Sequence, residues 1–254
     1  MEKSAAHAQG VTVKKRSWKG RLARDYFPAL VAPFVRLLTL PCSDRTRMLV
    51  SFDFQRARAR RRMPQLVVPE VDGLHLGCGP RRVAGFLNVD VAESELDVDL
   101  ATGILPFPDA TFAKAVCQHV VEHLDLHTEL LPLLRDVHRV LRPGAEFWVS
   151  CPDMKTACRY YIDGNMERLV EDRIARWPGY SLGGTPSQHF LNDLFHQHGE
   201  HQNLLDFELL AWALGEVGFV NVEQKVEADL LTRFSGFPQR NDDLQTLLVR
   251  AYKR

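Results

Sequence analysis

The stretch that decides the fold of this 254-residue chain runs from residue 73 to residue 91 and is GLHLGCGPRRVAGFLNVDV. A short apolar run ends at a glycine pair, Gly77 and Gly79, and a second apolar run ends at Asp90. A glycine pair just after a strand lets the backbone turn tightly and approach a ligand where a Cβ atom would clash. An acid at the end of the next strand can accept hydrogen bonds from the hydroxyls of a ribose. The stretch therefore predicts two strands of an α/β sheet with a nucleoside-binding crevice at their ends.

The spacing within this stretch separates the classes of nucleoside ligand. A dinucleotide fingerprint needs a third glycine, a full helix that faces a pyrophosphate, and an acid roughly 20 residues further on. Here Arg82 takes the place of the third glycine, and Asp90 follows Gly79 after only 11 residues, which leaves little room for a helix. The chain also has no GxxxxGKS or GxxxxGKT motif, so a P-loop is disfavoured. The pattern favours a nucleoside derivative without phosphates.

The rest of the chain alternates between strand-like and helix-like segments. Residues 114–121 and 145–151 have the composition of buried strands, and residues 128–141 between them carry leucines and valines at helical spacing. The pair Pro143–Gly144 supplies a helix stop, and residues 206–219 show a second helical pattern. Strands that alternate with helices predict the α/β class, with a largely parallel sheet and helices on both faces.

Composition and charge predict a globular domain with a basic amino-terminal segment. Hydrophobic residues make up 45% of the chain and charged residues 25%, which excludes global disorder. Residues 1–63 hold 15 Lys and Arg against 4 Asp and Glu, whereas residues 64–254 hold 17 against 28. We therefore predict a basic, partly helical arm over residues 1–63 and a domain over residues 64–254. The arm is expected either to contact an anionic membrane peripherally or to form a helical lid on the domain.

Other sequence features indicate a soluble, cytoplasmic protein that does not bind nucleic acid. The five cysteines show no CxxC spacing and predict reduced thiols, three of them in or beside apolar runs. No apolar run reaches the roughly 18 to 20 residues needed to span a bilayer. The arm does not interleave aromatic and basic residues, as a surface that stacks nucleic-acid bases would require.

Four blocks of the chain, taken in order, resemble the class I S-adenosylmethionine-dependent methyltransferases, and in particular a small bacterial group with LHLGCG…GFxNVD and HVxEHL motifs. They are LHLGCG with the following Asp90, Asp99-Leu100 with LPFPD at 105–109, KAVCQHVVEHL at 114–124, and VHRVLRPGAEFWVSCPD at 137–153. The resemblance implies a Rossmann-like sheet of seven strands, mostly parallel, with the last strand antiparallel. It also implies S-adenosylmethionine as the cofactor.

The resemblance further implies which residues meet this cofactor. The glycine turn is similar to the one beneath the methionine part, Asp90 to the ribose-binding acid, and Asp99 to the segment around the adenine. The implied set is His75, Gly77, Cys78, Gly79, Asp90, Val91, Asp99, Leu100, Gln118 and His119. The chain departs from the family at His75, where an acid is common, and at Arg81, where a third glycine is common. His119 has the alternative of a purely structural role.

Two residues on the acceptor side are candidates for a general base. Asp153 directly follows the fifth predicted strand, and a helix N-cap is its alternative role. His198 belongs to a histidine-rich part of the predicted acceptor-side insertion, residues 154–205. The sequence HQHGEH at 196–201 does not match the HExxH zinc helix and has no Cys beside it, so no metal is predicted. Aromatic residues of the insertion either wall an acceptor pocket or pack a core: Tyr160, Tyr161, Trp177, Tyr180, Phe190 and Phe195.

The expected activity is methyl transfer from S-adenosylmethionine to a small-molecule acceptor. The family resemblance favours a hydroxyl of a sugar, a glycolipid precursor or a natural product as the methyl acceptor. The NPPY-like tetrapeptide typical of related enzymes that methylate base amines is replaced by QHVV at 118–121. The alternatives are a non-catalytic Rossmann-like scaffold or interaction protein, and a nucleotide-sugar or NAD-linked enzyme on a similar fold. The oligomeric state is not indicated.

Overall fold

The computed structural model describes residues 42–254, and a seven-stranded sheet forms its centre. The strands are β1 (Gly73–Leu76), β2 (Phe86–Asp90), β3 (Leu96–Asp97), β4 (Phe112–Gln118), β5 (Leu141–Pro152), β6 (Phe219–Lys225) and β7 (Thr246–Lys253). Their spatial order is β3-β2-β1-β4-β5-β7-β6. Strand β7 runs antiparallel to both of its neighbours, and the remaining pairs are parallel. The predicted mostly parallel sheet of seven strands is confirmed, and the order reverses between β1 and β4, where open α/β sheets bind their ligands.

Helices connect the strands and cover the sheet. They are α1 (Asp44–Arg62), α2 (Leu131–Val140), α3 (Met154–Ile162), α4 (Met166–Arg176), α5 (His189–His196), α6 (Phe207–Glu216) and α7 (Glu227–Arg233). The helix predicted over 128–141 is present as α2, and a π-helical turn, Leu126–Leu130, precedes it. Helix α6 begins where Asp206 accepts a hydrogen bond from the backbone N–H of Leu209, and the chain leaves it through Gly218 at φ 102°.

The two faces of the sheet bury different sets of side chains, because successive residues of a strand point to opposite faces. On one face, Leu74, Cys117 and Phe147 belong to the large core that includes the apolar sides of α2 and α6. On the other face, Val116 and Trp148 pack with a smaller cluster from the segment that follows β6. That cluster contains Leu230, Phe234 and Phe237, with Phe86 of β2 edge-on to both phenylalanines at 5.4 and 5.1 Å between ring centroids.

The connection between β1 and β2 is a turn held by one buried side chain, Asn88. Its Oδ1 accepts hydrogen bonds from the Val83 N–H at 2.8 Å and from Nδ1 of His75 at 3.1 Å. Its Nδ2 donates to the carbonyl oxygens of Val83 at 3.1 Å and Phe86 at 3.0 Å. These four bonds use the full capacity of the amide. They stabilise a connection that, as the short spacing predicted, contains no helix between residues 77 and 85.

The insertion leaves the sheet after β5 and returns to the same place. The backbone N–H of Met154 donates to the carbonyl oxygen of Leu205 at 3.0 Å, which closes the base of the excursion. Helices α3, α4 and α5 pack around a core of their own. Its buried members are Ala157, Met166, Leu169, Phe190, Leu191 and Leu194.

The predicted arm is described only in its last part. Residues 1–41 lie outside the described residues, whereas α1 spans Asp44–Arg62 and is capped by Ser43, whose Oγ accepts from the Thr46 N–H at 3.2 Å. Three arginines in the last turn of α1 suit the negative end of its helix dipole. Within residues 42–254, the structure contains no helix that is both long enough and apolar enough to cross a bilayer.

We predict that Asn88→Leu lowers the free energy of unfolding by about 2–5 kcal/mol, because it leaves buried backbone groups at Val83 and Phe86 without partners. Asn192→Leu, on the exposed side of α5, makes the same chemical change and should cost less than about 0.5 kcal/mol. Urea denaturation of both variants provides the measurement. Equal losses would show that Asn88 does not organise the connection.

Candidate functional site

The turn after β1 contains two glycines in left-handed conformations that have different surroundings. Gly77 has φ 65°, and a Cβ atom on it would lie 2.1 Å from Cγ2 of Val120, in the turn after β4. Gly79 has φ 51°, and a Cβ atom there would meet nothing within 4 Å. The first glycine therefore permits close packing of two turns of the chain. The second leaves a stretch of backbone open to a ligand.

Asp90 at the end of β2 is bonded to the same turn. Its Oδ2 accepts from the Gly79 N–H at 2.7 Å, and its Oδ1 accepts from the Val91 N–H at 2.6 Å. Burial raises the pKa of Asp90 and outweighs these two hydrogen bonds, which act in the opposite direction. Each carboxylate oxygen keeps a lone pair for a further donor, such as a ribose hydroxyl. The structure thus brings Gly77, Gly79, Asp90 and Val91 together at the ends of β1 and β2, as predicted.

Two other residues of the predicted cofactor set have buried side chains. His75 is 2% exposed and lies against Asn88 and the ring of Phe237, 4.9 Å away between centroids. Burial lowers the pKa of His75 to about 4, so the ring is neutral near pH 7. Cys78 is also buried, and its backbone N–H donates to the Val89 carbonyl at 3.1 Å. Both side chains point into the interior of the domain, and a contact of either residue with a cofactor stays a prediction.

Asp99 has a role that the sequence did not indicate. Its side chain is 3% exposed and accepts from Nε of Arg56 at 3.1 Å and from Nε of Arg60 at 2.7 Å, both on α1. It also accepts from the Ala101 N–H at 3.2 Å and caps the short turn Leu100–Thr102. Leu100 itself is buried in the main core. The structure therefore makes Asp99 the anchor of α1 on the domain, and not a free adenine-facing acid.

A polar network surrounds the end of β4. His119 adopts φ 56°, and its Nδ1 lies 3.2 Å from Oε1 of Glu122. Its Nε2 lies 3.4 Å from Oδ2 of Asp242 and 3.2 Å from Oγ1 of Thr246. Burial alone would lower the pKa of His119, but the hydrogen bonds to Asp242 and Glu122 outweigh it and raise the pKa. Gln118, beside it at the end of β4, is almost fully buried.

The structure places the two predicted general bases differently. Both oxygens of Asp153 cap α3: Oδ1 accepts from the Thr156 N–H at 3.2 Å, and Oδ2 accepts from the Thr156 hydroxyl at 2.6 Å. This arrangement corresponds to the capping alternative for Asp153 and leaves one lone pair on each of its oxygens. The backbone of His198 lies in the short turn Gln197–Gly199, and its side chain is outside what the structure describes.

The other histidines of the insertion separate in space. Nδ1 of His189 lies 3.3 Å from Asn192 in the same helix, and His196 is exposed. His201 instead approaches the turn after β4, where its ring centroid lies 4.8 Å from that of His123. Sequence reasoning missed this pairing, because 78 residues separate the two histidines and no local motif joins them.

Four aromatic side chains of the insertion pack in the core of the insertion itself. Core packing was one of the two roles predicted for them, and an acceptor pocket was the other. Phe190 is fully buried there, and Tyr160, Tyr180 and Phe195 pack against the same cluster. Tyr161 and Trp177 are about half exposed, at 51% and 49%. These two are the most exposed of the six.

The fold and the glycine–acid crevice define an α/β domain of the Rossmann-like type. Within it, residues 90–149 match the family model described as a methyltransferase domain. The match begins at Asp90 and runs through most of β5, so the glycine turn lies just outside it. Together with the sheet order, it supports the methyltransferase class and its cofactor, S-adenosylmethionine. A search of curated proteins found no match.

Two solved structures are remotely similar to this chain. A SAM-dependent methyltransferase from Archaeoglobus fulgidus is 16% identical, with 80% of this chain and 94% of that chain covered at a TM-score of 0.42. An S-adenosylmethionine-dependent methyltransferase from Mesorhizobium loti is 17% identical, with 78% and 96% covered at a TM-score of 0.40. Likenesses at this level do not indicate an acceptor.

We predict that Gly77→Ala destabilises the protein by about 2–5 kcal/mol, from the left-handed backbone and from overlap with Val120. Val120→Ala removes the methyl group that is overlapped and should rescue part of this loss. A double-mutant cycle by chemical denaturation should give a coupling of about 1–3 kcal/mol. Strict additivity would contradict the close packing of the two turns.

We also predict that Arg56→Leu lowers the free energy of unfolding by about 1–2 kcal/mol, because buried Asp99 keeps only one arginine partner and Glu129 loses its ion pair. Arg61→Leu removes the same charge from the exposed side of α1 and serves as the matched control. Urea denaturation at two salt concentrations separates the two effects. A loss as large for Arg61 would mean that net charge, and not the Asp99 contact, is responsible.

Proposed function

We propose that this protein transfers the methyl group of S-adenosylmethionine to a small-molecule acceptor. The observation that carries the proposal is the crevice where Asp90 binds the Gly79 N–H beside backbone that is open to a ligand. It lies where β1 and β2 end, next to the reversal of strand order, and the methyltransferase-domain match begins at its acid.

The residues of the crevice fit a nucleoside cofactor that has no phosphates. The open backbone at Gly79 can lie against the methionine portion, and Asp90 has lone pairs for the ribose hydroxyls. The connection from 77 to 85 contains no helix whose N-terminus could face a pyrophosphate, which disfavours the NAD-linked alternative. When bound, S-adenosylmethionine supplies an electrophilic methyl group on a sulfonium. The task of the protein is then to align an acceptor with that group at about 3–3.5 Å.

The end of β4 is the part of the site that we expect to face the reacting atoms. The ring of His119 contacts Glu122, Asp242 and Thr246 there, so its orientation is fixed at both nitrogens. We propose that it orients the methionine group or the acceptor. His198 stays a candidate for a general base, and so does Asp153, which also caps α3.

The acceptor that we propose is a hydroxyl of a sugar, a glycolipid precursor or a natural product. The insertion supports a small acceptor, because it forms a closed excursion beside the turn after β4, with the Gln202 N–H donating to the Glu122 carbonyl at 2.8 Å. The half-exposed rings of Tyr161 and Trp177 are two aromatic surfaces that the insertion presents to solvent. Peripheral contact of the basic arm with an anionic membrane stays a prediction.

Gly79→Ala and Gly85→Ala form a matched pair that tests cofactor binding. Both glycines have positive φ, and a Cβ atom meets nothing within 4 Å at either, but Gly79 follows β1 whereas Gly85 precedes β2 at the other end of the sheet. Each substitution should cost about 1–2 kcal/mol of stability from its backbone conformation. Only Gly79→Ala should also weaken S-adenosylhomocysteine binding, by at least about tenfold, since its Cβ would occupy the ligand space.

Isothermal titration calorimetry with S-adenosylhomocysteine, NAD and a nucleotide sugar measures the effect. Binding of S-adenosylhomocysteine alone, weakened by Gly79→Ala and not by Gly85→Ala, supports the proposal. Binding of NAD or of the nucleotide sugar instead would favour the alternative enzyme. No binding to the folded wild-type protein would favour the scaffold alternative.

A further inference from the structure

One carboxylate oxygen of Glu122 lacks a partner in the interior of the protein. The residue is 2% exposed, and its Oε1 is paired with His119. Its Oε2 is buried and has no hydrogen-bond partner among residues 42–254. A buried carboxylate oxygen without a donor is costly, and buried charges are normally paired or bound to metal ions. The unpaired oxygen is therefore available to a cation or a hydrogen-bond donor.

Two imidazoles lie beside this carboxylate, and their hydrogen bonds indicate which nitrogen of each ring carries the proton. Nδ1 of His123 lies 3.2 Å from the carbonyl oxygen of Glu200, and Nδ1 of His201 lies 2.6 Å from the carbonyl oxygen of Leu194. A carbonyl oxygen only accepts, so each Nδ1 carries the proton and each Nε2 of the neutral ring carries a lone pair. Histidines that bind metals are typically held in this way, with the other ring nitrogen donating to a carbonyl.

The backbone holds the two segments that carry these residues together. The N–H groups of Gln202 and Asn203 donate to the Glu122 carbonyl oxygen at 2.8 and 3.0 Å. The side-chain amide of Gln202 donates to the His123 carbonyl at 3.1 Å, and that of Asn203 donates to the Leu124 carbonyl. The end of the insertion is thus fastened to the turn Val121–His123. The three side chains do not depend on a mobile loop for their proximity.

We propose that Glu122, His123 and His201 bind a divalent transition-metal ion such as zinc. One ligand atom from each residue lies within 4.8 Å of the other two. Bonds of 2.0–2.2 Å in a tetrahedral site would place these atoms about 3.3 Å apart, so the side chains close by roughly 1 Å or more around the ion. Two imidazoles and one carboxylate suit zinc, iron, cobalt or nickel better than magnesium or calcium.

Three protein ligands leave at least one position of the ion open. The site lies in the turn directly after β4, and Glu122 contacts His119 at the end of that strand. The open position would therefore bind water or, if the proposed methyl transfer holds, an oxygen of the acceptor. That last step rests on the proposed function, whereas metal binding by the three residues does not.

Metal titration of the full-length protein, treated with a chelator and free of cofactor, tests the site. Co²⁺ is followed by its visible absorption, and Zn²⁺ by competition with a chromophoric chelator. We expect one equivalent to bind to the wild-type protein, and binding at least about tenfold weaker in His201→Gln and Glu122→Gln. His196→Gln, five residues from His201 on the exposed end of α5, is the matched control and should bind like the wild type.

Circular dichroism without metal establishes that each variant is folded, and His123→Gln replaces Glu122→Gln if the latter unfolds. A crystal soaked in Zn²⁺ should show one anomalous peak between the three side chains. Absence of stoichiometric binding in the wild type, or equal affinity in the wild type and His201→Gln, would overturn the proposal. S-adenosylhomocysteine titration of the same preparation keeps a failure of the metal site distinct from a failure of the proposed function.

Discussion

The close packing of Gly77 against Val120 is the contact on which the candidate site depends. A side chain at Gly77 would overlap Val120, so the turn after β1 can approach the turn after β4 only because that position is glycine. The residues next to Val120 are His119, in its left-handed conformation, and the turn that carries Glu122. Any displacement of Val120 would therefore move the polar network at the end of β4 relative to Asp90. The contact between the Gly77 backbone and the Val120 side chain thus sets the position of the cofactor crevice relative to the proposed metal site.

The short connection between β1 and β2 changes how this sheet is covered. A helix in that connection would cover one face of the sheet. Because the connection has no helix, apolar side chains from a later segment of the chain cover that face. Phe234 and Phe237, from the segment between α7 and β7, pack on Phe86 and on the ring of His75. Asn88 supplies the hydrogen bonds that the missing helix would have satisfied internally. The neutral state of His75 follows from the same burial.

The resemblance placed Asp99 beside the cofactor, but in the structure its side chain binds arginines of α1. The resemblance placed it near the adenine, and the structure does place it after β3, on the side of the sheet where Asp90 lies. Yet two arginines of α1 take its oxygens, and Arg56 also reaches Glu129 at 3.0 Å. Helix α1 thus lies against the domain through arginines, whereas its Phe52 and Phe54 are exposed. The basic charge of this helix is partly neutralised by the domain and is correspondingly less available to an anionic surface.

The sequence by itself determined the α/β class, the strand–glycine–strand–acid unit and the helices α2 and α6, because periodicity and glycine positions act over short stretches of chain. It also favoured a ligand without phosphates for the crevice, since the spacing from Gly79 to Asp90 leaves little room for a phosphate-binding helix. Only the tertiary structure decided that Asp99 meets Arg56 and that His201 reaches Glu122 and His123. Those contacts join residues from different elements, and their partners are selected by packing that no local pattern encodes.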